Sequence, residues 1–222
     1  STGVKYIRAT ETATLSGVVT NKETDNDKFT IDVANTKTLT MSGAIVGAGG
    51  GEITKSGAGT LTLSSSGNTE DKNITVEAGS LALSGSGTIA SSPTITLSTN
   101  ATFDVSGLTS ALTLANRQAI VVAASNSANP AVIATAAAKG LTTAGNNPIT
   151  FSQYSSAGGA PLTISGAGSV TLSGSDTVTV TVVNGALAAG SYTLISNGAS
   201  GSVAGTAPTL VVGGAGLVVN GS

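Results

Sequence analysis

The chain has 222 residues, a formal charge of −2, 30 Gly, 9% charged and 40% hydrophobic residues, and no Cys, His or Trp. Missing His and Cys exclude the common catalytic triads, thiol nucleophiles, disulfides and most zinc or haem sites. Gly, Ser and Thr fill about two-fifths of the chain, but high apolar and low charged content is the reverse of a disordered linker, so one elongated all-β domain spanning 1–222 is expected.

Residues 1–37 form the charge-rich N-terminal end, expected to act as a cap. Within it Val4-Lys5-Tyr6-Ile7-Arg8 alternates as a strand does. Asn21 to Lys28 carries oxygen side chains at alternate positions, as a calcium loop does. Counting from Asp25, however, Thr30 and Thr36 stand where such a loop needs Gly and Glu, so a solvated turn is expected.

From residue 38 the alternation is repetitive: Thr38-Leu39-Thr40-Met41, Thr60-Leu61-Thr62-Leu63, Ser80-Leu81-Ala82-Leu83 and Thr94-Ile95-Thr96-Leu97. Aliphatic residues alternate with Thr or Ser, the pattern of short strands buried on one face. The first three apolar pairs begin 22 and 20 residues apart, a spacing that marks stacked coils, each burying its aliphatic side on its neighbours. Ser56-Gly57-Ala58-Gly59-Thr60-Leu61-Thr62-Leu63-Ser64 returns as Ser165-Gly166-Ala167-Gly168-Ser169-Val170-Thr171-Leu172-Ser173, and each copy is read as part of one coil. Coils of roughly 20–25 residues predict about nine of them. The competing architecture is an antiparallel β-sandwich or jelly roll.

Lys55 precedes its glycines and a strand follows, so Ser56–Gly59 is a corner rather than a phosphate loop. Glu70-Asp71-Lys72 reads as a solvated corner. Ala131 to Gly140 is Ala-rich enough to form a short helix ending at Gly140. Thr177 to Val182 returns to strand alternation, and residues 205–222 close with an uncharged apolar strand.

Gly50-Gly51-Glu52-Ile53-Thr54-Lys55-Ser56-Gly57-Ala58-Gly59-Thr60-Leu61-Thr62-Leu63-Ser64, followed by Ile74-Thr75-Val76-Glu77-Ala78-Gly79-Ser80-Leu81, resembles the autotransporter-associated β-strand repeat. Gly185 to Ile195 resembles a segment that closes many such repeat proteins. The match is good over 38–87, fair over 164–212 and poor over 98–160. The resemblance implies a right-handed parallel β-helix and an extracellular, cell-surface address. With Ser1 in place of Met, a mature N-terminus left by signal-peptide removal is expected, and no apolar run approaches the ~18–20 residues of a membrane helix. The aromatic-girdled strands of a membrane barrel are also missing from the sequence, which reads as passenger-type.

These readings favour a non-enzymatic structural protein, with no cofactor or metal and no nucleic-acid partner, since the few basic residues do not cluster. Of the 20 charges only Arg117, Lys139 and Asp176 lie beyond Asp104. A neutral surface of that extent points to contact between copies. Self-association is expected through Val4, Tyr6 and Ile7 at one end and Leu210, Val211, Val212, Leu217, Val218 and Val219 at the other, giving a homopolymeric filament by strand addition. The alternative is a processed passenger acting as an adhesin for a surface glycan or matrix ligand.

Overall fold

A computed structural model describes residues 5–21, 28–47, 51–126, 128–155, 159–198 and 200–214. Within these residues the chain is all β, every ladder between strands is parallel, and no helix is present. The chain winds as a parallel β-helix with up to three strands per coil.

The first face stacks nine strands, Lys5–Ala9, Phe29–Val33, Ile53–Ser56, Ile74–Val76, Thr94–Leu97, Ala119–Val122, Pro148–Tyr154, Thr177–Val182 and Thr209–Gly214. The second stacks eight: Ala13–Leu15, Thr38–Met41, Thr60–Leu63, Ser80–Gly85, Thr102–Leu108, Ala131–Ala134, Leu162–Ser165 and Ile195–Asn197. Third-position strands pair Val19–Asn21 with Ile45–Gly47, and stack Leu112–Thr113, Leu141–Thr142, Ser169–Leu172 and Ser202–Gly205. Nine rungs at the spacing of hydrogen-bonded strands give a rod about 40 Å long.

Parallel stacking places like on like. On the first face Phe29, Ile53, Ile74, Ile95, Ile120, Ile149, Val178 and Leu210 form one inward column. On the second, Leu39, Leu61, Leu81, Phe103, Ile133 and Ile164 form another. Each coil's apolar side is covered by the coils above and below, and a single buried core runs from Ala9 to Val182. Leu39, Leu61, Leu63, Leu81, Leu83, Leu97, Leu172 and Val180 are all buried, as the alternation requires. Leu61 pairs with Leu81 in a parallel ladder, which removes the sandwich alternative.

One expectation is corrected by the register. Ala131–Ala134 is a strand on the second face, its Val132 and Ile133 paired with Thr102 and Phe103, and Ala136 to Lys139 is a tight turn. Ten Ala-rich residues are too few to hold a helix unaided, whereas two neighbouring strands supply hydrogen bonds and apolar cover on both sides. The repeated phrase belongs to two separate coils, as expected, but sits at different corners of them. Thr60–Leu63 lies on the second face, whereas Ser169–Leu172 is a third-position strand. The corners share Gly57 and Gly166 in the left-handed region, at φ 72° and 84°. Gly59 and Gly168 lie against backbone carbonyls of the preceding coil, where a side chain would collide.

Coil length explains why the sequence period fades. Register partners Ile53 and Ile74 are 21 residues apart, Ile120 and Ile149 are 29, and Val178 and Leu210 are 32.

Candidate functional sites at the strand edges and the polar corner

Lys5–Ala9 and Thr209–Gly214 each pair on one side only among the described residues, with Phe29–Val33 and Thr177–Val182 respectively. At the first edge Ile7 faces inward, on the Ile31 column, and is half-buried. Tyr6 faces outward, 53% exposed, and its hydroxyl donates to Asp32 at 2.7 Å; Arg8 Nε also reaches Asp32, at 3.3 Å. At the other edge Leu210 and Val212 continue inward columns, and Leu210 is 58% exposed. Val211 faces outward and is 47% exposed. Val4, Leu217, Val218 and Val219 lie outside the described residues.

Two apolar cavities border Leu210 in the last coil. One cavity of 190 Å³ is bounded by Tyr154, Val180, Leu187, Tyr192, Leu194, Leu210 and Val212. A second of 270 Å³ lies among Phe151, Leu172, Val178, Leu194, Ile195, Pro208 and Leu210. Tyr192 packs edge-on against Tyr154 at 6.3 Å, and its hydroxyl donates to the Ala188 carbonyl at 2.7 Å. The walls carry few polar groups and suit aliphatic side chains.

A column of buried polar side chains lines the corner before the first face. Asn68 Oδ1 accepts the Ile45 N–H at 2.8 Å, and its Nδ2 donates to Thr88 O at 3.0 Å. Gln118 donates to Ile89 O and Ser92 O, each at 2.8 Å. Asn147 donates to Ala115 O at 2.7 Å and Gln118 O at 2.9 Å, while its N–H meets Asp176 Oδ1 at 3.0 Å. Asp176 also accepts the Ser173 N–H at 2.8 Å and the Thr143 hydroxyl. Each amide satisfies carbonyls of a neighbouring coil where the strands stop. The sequence reading missed this column. Its signal is a Gln, Asn or Asp just before a strand, as in Gln118-Ala119, Asn147-Pro148 and Asp176-Thr177.

Two charged residues lie deeper than expected. Glu70, read as part of a solvated corner, is 4% exposed, while Asp71 and Lys72 beside it form an ion pair at 3.6 Å. Burial pushes the Glu70 carboxyl above its ordinary value and Asp71 adds to this, while the Asn21 amide and Lys72 pull it down. Lys55 is fully buried. Its ammonium donates to Ser56 O at 2.8 Å, Gly57 O at 2.7 Å and Ala78 O at 3.1 Å. Burial pulls its pKa down to about 8, opposed by the Asp32 charge. Among the described residues no three acidic side chains cluster, and no helix is long and apolar enough to cross a membrane.

The architecture is that of a parallel β-helix. Compared with family models, curated proteins and solved structures, the chain matches none.

Proposed function

We propose that the chain is a non-enzymatic, extracellular structural unit that extends by adding strands at its ends, copy upon copy, into a filament or matrix. The observation that carries this reading is the strand Thr209–Gly214, paired on one side only among the described residues, with inward Leu210 exposed beside two apolar cavities. Such an edge offers backbone donors and acceptors together with an apolar surface.

Stacking that keeps the inward column of Ile7 continuous would put Val212 against Ile7 of the next copy. Val211 would then meet Tyr6 on the outside. One end docking on the opposite end is heterologous and does not close, so it propagates. The resemblance of residues 50–81 to surface-passenger repeats favours the same extracellular setting, and a glycan or matrix ligand on the outward Thr rows is compatible with it.

Sedimentation velocity and electron microscopy over a concentration series test the proposal. Filaments or a growing oligomer ladder are expected from the unmodified chain. Deletion of residues 210–222, or Val212→Asp, should leave a β-rich fold by circular dichroism that no longer assembles. A chain that stays monomeric at high concentration, or a Val212→Asp variant that polymerises normally, overturns it.

A further inference from the structure

We propose that the outward side of the first face, over the five strands from Thr94–Leu97 to Thr209–Gly214, docks side by side on the same surface of a second copy of this chain. The register lines Thr96, Val121, Thr150, Thr179 and Val211 into one outward column. Outward positions on either side of it hold Thr, Ser, Ala, Pro and Gly, and Gln153, at the bulge of Pro148–Tyr154, is the one longer side chain. Parallel stacking of such short side chains gives a flat surface, with Val211 47% exposed at its end.

Charge divides this face in two. On its first four rungs charged side chains dress the outside: Asp32 takes the Tyr6 hydroxyl and Arg8, Glu52 accepts from the Thr75 hydroxyl, and Lys28 meets Glu77 at 3.8 Å. On the next five no outward residue is charged. The three charges beyond Asp104 are held elsewhere, Arg117 and Lys139 in turns and Asp176 buried in the polar corner. Such a surface offers a charged partner no ion pair and a sugar no aromatic ring to stack on. An equally flat, uncharged surface meets it without burying an unpaired charge, and every copy of the chain carries one.

Docking here freezes few rotamers. Thr and Val have one stiff side-chain torsion, and Ala, Pro and Gly have none to lose. A Thr hydroxyl both donates and accepts, so Thr facing Thr keeps both groups paired when water leaves. Five rungs by the six residues of Thr177–Val182 span a flat area of about 500 Å² per copy, about 1,000 Å² for the pair, the lower bound for specific association. A reversible dimer follows, with a Kd on the order of 10⁻⁴ M. Two-fold pairing is isologous and sets Thr150, at the centre of the column, opposite its own counterpart. The contact uses the side of the rod and does not need the strand ends.

Sedimentation velocity and small-angle X-ray scattering, from well below that Kd to tenfold above it, test the contact. Mass should double while the longest dimension stays near that of one rod, whereas end-on addition doubles the length. Thr150→Glu with Thr179→Glu sets like charges face to face and should raise Kd at least tenfold. Thr40→Glu with Thr62→Glu, the same charge change on the second face, should leave it unchanged. Should the first pair fail to fold, Thr150→Cys, unique in a chain without Cys, must crosslink between copies through a short bis-maleimide, far more than Thr40→Cys does. Where filaments form, electron micrographs should show them two rods wide, and one rod wide with the Thr150→Glu and Thr179→Glu pair. A chain that stays monomeric or grows only in length overturns the proposal. So does a folded Thr150→Glu and Thr179→Glu variant that pairs normally, an equal loss from the second-face control, or equal crosslinking from Thr40→Cys. Lengthening without lateral pairs leaves the end-on reading in place, and lateral pairs without lengthening leave only this one.

Discussion

Lys55 sits in register on Ile31, in an inward column that is otherwise apolar from Ile7 through Val76, Leu97, Val122, Phe151 and Val180 to Val212. Its stem fills the column while its ammonium turns to the carbonyls of Ser56, Gly57 and Ala78. The carbonyl dipoles hold a dehydrated cation, and the Asp32 charge offsets only part of the cost of burying it.

That arrangement sets a pH dependence of stability. The folded-state pKa of Lys55, about 8, lies below its ordinary value of 10.5, so between those values the unfolded chain binds more protons. Stability therefore rises as pH is raised from about 8 to 10.5, and below about 8 the full cost of the buried charge is present. Denaturant unfolding midpoints across this window should climb for the unmodified chain. Lys55→Met should remove most of that slope; an equal slope in the variant would assign it to another group.

Leu61 lies between Leu39 and Leu81 and is buried, so Leu61→Ala leaves a void in the middle of a packed column. The expected loss is ~2–5 kcal/mol, measured by urea unfolding. Leu210→Ala, at a largely exposed position of the last rung, should cost less than ~1 kcal/mol in the unassembled chain.

Asp176 holds the corner of the seventh and eighth coils by accepting from Asn147 N–H, Ser173 N–H and the Thr143 hydroxyl. Asp176→Asn turns one acceptor into a donor facing donors. A loss of ~2–3 kcal/mol is expected. Amide hydrogen exchange should show it as faster exchange at Ser173 and Asn147 than at Leu39 or Leu61.

Thr36 and Gly57 occupy the first-to-second-face corner of successive coils, both with left-handed backbone, φ 62° and 72°. A β-branched residue there is strained, and Thr36 is exposed, so Thr36→Gly should stabilise by ~1 kcal/mol. Gly57→Ala should do the reverse and by more. Its Cβ would overlap Val33 O and Asp32 Oδ1 as well as strain the backbone. Thermal unfolding of the two variants should move in opposite directions.

The coiled, all-β architecture is legible in the sequence because parallel stacking repeats the same demand at every rung: an aliphatic residue in, a small polar one out, glycine where the chain turns. The pairs at Leu39, Leu61 and Leu81 therefore announce both the strand and its neighbours. Tertiary structure decided what a corner does. The same Ser-Gly-Ala-Gly phrase turns the chain from first to second face at residue 57 and from second to third at residue 166, since a turn motif specifies local dihedral angles and not its place in the coil. Ala131–Ala134 became a strand because its neighbours supplied two ladders. Burial of Lys55 and Glu70 and the joining of Gln118, Asn147 and Asp176 into one column also depend on which coil lies above which. That relation is fixed by unequal coil lengths of 20 to 33 residues, and the hydrogen bonds it creates join residues too far apart in the chain for any local pattern to display.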